Sequence, residues 1–160
     1  MHRALAASAL ALAVTLTAPA AFAASGSLTD PDDDTLADIL RLSYANNDAK
    51  AVMKLKYDGS RPMVENFYVK WGTAGKYYKL QRNLDGTSLW FFNGNEDTGE
   101  VERTCDGDRV RHNADTVVST GTIPRSCMPQ APARVKFQGI ATVGLFDNDK
   151  TRTSTAVRQG

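Results

Sequence analysis

Residues 49–57 read AKAVMKLKY. In an extended chain Ala49, Ala51, Met53, Leu55 and Tyr57 point one way, and Lys50, Val52, Lys54 and Lys56 point the other. Alternation of period two marks a strand with one face on a core, whereas a helix would repeat its apolar positions every three or four residues. The stretch therefore predicts a half-buried β-strand with a basic outer face.

The same rhythm continues on both sides. Upstream, Leu40, Leu42 and Tyr44 alternate with Ile39, Arg41 and Ser43, and Asn46-Asn47-Asp48 supplies turn chemistry between the two runs. One helix competes there, over residues 35–42, where Leu36, Ile39 and Leu40 could form a stripe. Downstream come Phe67, Val69 and Trp71, then Tyr78 and Leu80, then Leu89 and Phe91. Weaker strands are expected over 100–105, 109–114 and 116–123, and a strong one over 134–143. Asp58-Gly59, Asp85-Gly86, Asn93-Gly94 and Asp106-Gly107 punctuate the runs, pairing a residue that tolerates positive φ with one that adopts it freely. Strands and turns recurring every ten or so residues predict an all-β domain of about eight or nine strands. An antiparallel β-sandwich, jelly-roll or immunoglobulin-like, is the leading architecture, with a closed barrel second.

The first residues carry an address. Met1-His2-Arg3 is a short positive start, residues 4–18 hold no charge, and Ala21-Phe22-Ala23 offers small residues where a signal peptidase reads them. This is the form of a secretory signal, residues 1–23, and at about 15 residues the apolar run is short of a bilayer crossing. Cleavage after Ala23 would leave 137 residues with 18 basic and 18 acidic side chains and His112 as the only histidine. The organisation expected is a signal peptide over 1–23, a flexible acidic leader over 24–35 and one sandwich domain over 36–160, secreted and without a membrane span after cleavage. A balanced charge argues against a nucleic-acid partner. In an oxidising compartment Cys105 and Cys127, the only cysteines, can pair.

Few chemistries have the residues they need. Serine hydrolysis requires a base, and His112 shares a strand face with Val110 and Ala114, which points to packing. Glu100 and Glu102 would share a strand face roughly 7 Å apart, but solvent exposure is the ordinary state of such a pair. Asp32-Asp33-Asp34, the 93–99 loop and Asp147-Asn148-Asp149 offer oxygen donors without the spacing of a calcium loop. No catalytic residue, metal site or cofactor is expected.

The aromatic residues are more informative. If Phe67, Val69, Trp71, Tyr78, Leu80, Leu89 and Phe91 fill the core, then Tyr68, Tyr77, Trp90 and Phe92 share the reverse face beside Lys70, Lys79 and Gln81. Unless a loop, the leader or another sheet covers them, flat rings beside hydrogen-bonding groups suit a sugar or a protein surface. The Lys50, Lys54, Lys56 stripe has two readings: a contact for anionic cell-wall polymer, or the guarded edge of a sheet.

Asp30-Pro31, Asp38-Ile39, the lysine-rich strand, Cys105-Asp106-Gly107-Asp108-Arg109-Val110, Ile123-Pro124-Arg125-Ser126-Cys127 and Pro132-Ala133-Arg134-Val135 together resemble small secreted actinobacterial proteins with one β-sandwich domain and no established activity. The resemblance spans residues 30–143 and implies the sandwich and a Cys105–Cys127 bridge. It carries no catalytic residue. More distantly the pattern is similar to sandwiches of the carbohydrate-binding-module kind. The expected function is a secreted, non-catalytic binding or interaction module for a glycan, a cell-envelope polymer or a protein. Tyr68, Tyr77, Trp90 and Phe92 are its contact residues. The alternatives are an extracellular hydrolase with paired carboxylates and a secreted inhibitor presenting a loop near Cys127.

Overall fold

The lysine-rich stretch forms β3 (Lys50–Tyr57), in which Ala51, Met53, Leu55 and Tyr57 are buried while Lys50, Lys54 and Lys56 are exposed. The computed structural model describes residues 24–30, 38–59, 61–144 and 147–160; the expected signal peptide and Asp32-Asp33-Asp34 lie outside them. The other strands are β1 (Ala24–Thr29), β2 (Ile39–Asn46), β4 (Val64–Trp71), β5 (Lys76–Arg82), β6 (Thr87–Phe92), β7 (Glu100–Arg103), β8 (Arg109–Asn113), β9 (Val118–Pro124), β10 (Arg134–Val143), β11 (Asp147–Lys150) and β12 (Val157–Arg158). A single 3-10 turn, Arg125–Cys127, separates β9 from β10.

Every pairing is antiparallel, and the strands form two sheets. The first has five strands in the order β1-β2-β3-β9-β8. The second runs β11-β10-β4-β5-β6-β7, with β12 also paired to β10. Their apolar faces pack together, so the fold is an antiparallel β-sandwich.

Among the described residues twelve strands form where about eight or nine were expected. Three account for the excess. The first half of the expected leader is β1, paired with β2 from Ala24↔Asn46 to Thr29↔Arg41. Asp147-Asn148-Asp149, which offered oxygen donors and no apolar alternation, begins β11, and the two-residue β12 caps β10. These strands are short or polar and lie at edges, so backbone pairing holds them without an apolar alternation. The helix considered over 35–42 is absent across its described part, since β2 begins at Ile39. A register shift between Ile39 and Arg41 breaks the simple alternation there. The extra residue reverses side-chain parity, which is why Ile39 is buried together with Leu42 and Tyr44.

Two of the four glycine pairs close hairpins, Asp85-Gly86 between β5 and β6 and Asn93-Gly94 between β6 and β7. The other two, Asp58-Gly59 and Asp106-Gly107, carry the chain from one sheet to the other. A positive-φ glycine satisfies a local bend in either setting; it does not state which sheet the next strand joins.

Phe67, Val69, Leu80 and Leu89 are fully buried, and Tyr78 and Phe91 nearly so, as their alternation requires. Trp71, at the end of β4, is only partly buried and stacks on Tyr78 at 5.5 Å and Phe91 at 6.2 Å. Glycines let the sheets approach. A Cβ on Gly121 would lie 2.7 Å from the Phe67 ring, and one on Gly139 would overlap the Leu55 side chain. Each sheet thus sets an empty position opposite a large side chain of the other, which gives the dense packing of a protein interior. The Cys105–Cys127 disulfide links the end of β7 to the 3-10 turn after β9, with Cα atoms 5.7 Å apart. It ties the two sheets together, and closing a loop of this size is worth roughly 3 kcal/mol in the chain-entropy picture.

Candidate functional site

The reverse face of the second sheet follows from strand parity. With Phe67, Tyr78, Leu89 and Phe91 turned inward, Tyr68, Tyr77, Trp90 and Phe92 must stand on the other side. Pairing then arranges them in two rows. One runs Gln138–Tyr68–Lys79–Trp90–Glu102, the other Lys136–Lys70–Tyr77–Phe92–Glu100. All four aromatic residues are half-buried.

The rings contact one another and the charged groups between them. Tyr77 stacks on Phe92 with centroids 5.0 Å apart and meets Tyr68 edge-on at 5.3 Å. The Lys79 ammonium lies 5.3 Å from the Trp90 ring centroid, and that of Lys70 lies 5.9 Å from Tyr68. Tyr77 Oη donates to Glu100 Oε1 at 2.6 Å, Lys79 Nζ pairs with Glu100 Oε2, and Trp90 Nε1 donates to Ser88 Oγ at 3.1 Å. Lys70 Nζ donates to Gln138 Oε1 at 3.2 Å. Lys79 and Gln138, although on the outer face, are 8% and 4% exposed. The strip is thus a packed lattice of rings and paired polar groups that hold one another in place.

The ionisation states follow from this packing. Burial pushes the Tyr68 hydroxyl up to about 12, aided by the Glu100 charge. Burial, then the hydrogen bond to Glu100, raises Tyr77 as well. Burial lowers the Lys70 ammonium, and the Lys150 and Lys136 charges lower it further. For Glu100 burial acts upward, but hydrogen bonds from Lys79 and Tyr77 outweigh it and hold the carboxyl below the ordinary Glu value. Glu100 is therefore a fixed anion at neutral pH, the opposite of what a general acid beside Glu102 would require.

A second polar cluster is internal. Glu65 is wholly buried; it accepts from Tyr57 Oη at 3.0 Å, pairs with Arg82 and lies 3.9 Å from Arg61. Arg82 also donates to the carbonyls of Pro62 and Met63. Nearby His112 Nδ1 meets Ser119 Oγ at 2.9 Å. Ser119 has no exposed surface and the carboxylate bonds to a tyrosine, so no substrate reaches a nucleophile here. Alternation alone does not reveal this cluster, because Glu65 and Arg82 occupy inward positions that a pattern reader assigns to apolar residues.

Other candidates resolve into structural roles. In the 93–99 loop, Asn93 Oδ1 accepts from Asn95 N and Thr98 Oγ1, and Asn95 Oδ1 accepts from Asp97 N, so these oxygens close the turn itself. Among the described residues no group of three or more His, Cys, Asp or Glu side chains converges. The segment around Cys127 does not protrude: Cys127 and Met128 are buried, and Arg125 is bound to Asn46 Oδ1 and the Asn47 carbonyl. Among the described residues no helix is long and apolar enough to cross a membrane.

β3 lies between β2 and β9, so its lysines guard no edge. No protein-family model, curated protein or solved structure matches the chain.

Proposed function

We propose that the protein is a secreted, non-catalytic binding module that takes a glycan across the outer face of its second sheet. The observation that carries this is the strip formed by Tyr68, Tyr77 and Phe92 with Trp90 beside it, turned away from the core and interleaved with Lys70, Lys79, Gln138 and Glu100. Aromatic surface contributes dispersion and apolar burial against a sugar ring, while the partly exposed Lys70 and Glu100 meet hydroxyls and the buried Lys79 and Gln138 hold those two side chains in place. Export is supported by the residues 1–23 pattern and by the disulfide.

The test is retention on a panel of soluble and insoluble polysaccharides, with wild-type protein beside Trp90→Ala and Tyr68→Ala. Specific retention lost in both variants at nearly unchanged melting temperature supports the reading. Retention by no glycan, or variants that lose folding and binding together, ends it.

A further inference from the structure

We propose that the outer face of the first sheet is a binding surface for a linear polyanion built of repeated phosphoryl groups. This surface lies opposite the aromatic strip and does not depend on it.

Three cross-strand rows make up the face: Ser25–Ala45–Val52–Thr122–Arg109, Ser27–Ser43–Lys54–Thr120–Arg111 and Thr29–Arg41–Lys56–Val118–Asn113. Of these fifteen positions five are cations, Arg41, Lys54, Lys56, Arg109 and Arg111, and none is acidic or aromatic. Asp30, Asp48, Asp108 and Asp115 all fall beyond the strand ends. The whole chain has 19 basic and 18 acidic residues, so this face separates charge that is balanced elsewhere. All five cations are exposed, and among the described residues none makes an ion pair. On the opposite sheet, by contrast, Lys79 is matched by Glu100.

The arrangement defines the ligand's chemistry. The cations form a line across the sheet, Arg41 beside Lys56, Lys54 two residues along, then Arg111 and Arg109 on β8. Strand spacing and rise put successive members about 5–10 Å apart, steps that an extended polymer with regular anionic groups can follow. Serine and threonine hydroxyls between them donate to oxyanions. Two shallow hollows of about 370 and 510 Å³ lie on this face, and Lys54 lines both. None of the fifteen positions supplies a Phe, Tyr or Trp platform of the kind single-stranded nucleic-acid sites stack bases on, and none carries a large apolar side chain to enter a bilayer. A flexible phosphoryl polymer requires neither.

The probe is long-chain inorganic polyphosphate, with a polyol-phosphate polymer in parallel to distinguish the source of the phosphoryl groups. Single-stranded DNA and phosphatidylserine-containing vesicles serve as competing classes. Polyphosphate binding should weaken steeply with salt, and Lys54→Glu with Arg111→Glu should reduce it at least about tenfold at about 0.1 M salt. Lys54→Gln with Arg111→Gln should make the log–log salt slope shallower by about 0.7 for each cation removed. Both pairs should melt like wild type, and Lys136→Glu on the other face should bind normally. No polyphosphate binding, equal loss in Lys136→Glu, or tighter binding to DNA or vesicles than to either phosphoryl polymer would overturn the proposal. Trp90→Ala should leave polyphosphate binding intact, so the two surfaces fail or succeed separately.

Discussion

Tyr77 Oη donates to Glu100 Oε1 at 2.6 Å, and Lys79 pairs with the other oxygen of the same carboxylate. Glu100 lies on β7 and both donors on β5, so the contact reaches over β6 and pins an edge strand to the centre of the sheet. Phe92, the β6 residue in that row, is held between them.

Glu100→Gln should cost on the order of 0.5–1 kcal/mol at neutral pH, the scale of a partly exposed ion pair. Because the folded-state pKa lies below the ordinary Glu value, the carboxylate's stabilisation is complete above the unfolded pKa and disappears as pH falls through the folded one. Urea denaturation from about pH 7 to about pH 3 should therefore show wild type and variant converging. A gap that stays constant across that range would mean the charge contributes nothing.

Removing one partner of the buried pair should be far more damaging. Glu65→Ala leaves Arg82 in the interior without its carboxylate, at a cost of about 3–5 kcal/mol. Glu65→Leu combined with Arg82→Met should recover most of that loss. Denaturation free energies that simply add would show the two side chains to be uncoupled.

His112 provides a second pH dependence, at higher pH. Burial and the Arg61 charge lower its pKa, Glu65 partly opposes them, and Arg82 adds to the lowering. The unfolded chain then takes up the proton first, so stability is full above the ordinary histidine value and declines as pH falls toward the folded one. His112→Gln should flatten the melting-temperature profile in that window, and an unaltered slope would assign the dependence to other groups.

Gly121→Ala should lose about 1–3 kcal/mol through overpacking, since the added Cβ would meet the Phe67 ring at 2.7 Å. Phe67→Leu introduced with it should relieve part of the clash. Thermal melts of the single and double variants decide the matter, and independent effects would rule out the close approach of the sheets at this point.

The core was largely legible because in-out parity is local. Phe67, Val69, Tyr78, Leu80, Leu89 and Phe91 are inward residues, and Tyr68, Tyr77, Trp90 and Phe92 outward ones, as alternation alone implies. It failed where something nonlocal intervened. The register shift near Leu40 brought Ile39 inside, and edge strands β1 and β11 formed from polar sequence because a neighbouring backbone was free to pair. Glu65 and Arg82 were invisible as a pair, since only cross-strand register puts them opposite each other.

In-out parity along the regular strands, all but the shifted start of β2, was written into the chain, because successive side chains of an extended segment point to opposite faces. Strand order and register are different in kind: they depend on backbone pairing between segments far apart in the chain, and local chemistry does not specify them. Tertiary structure alone therefore placed β3 inside a sheet rather than at its edge. It also brought Arg41, Lys54 and Arg111, from three separate strands, onto one face where, among the described residues, they have no ion-pair partner.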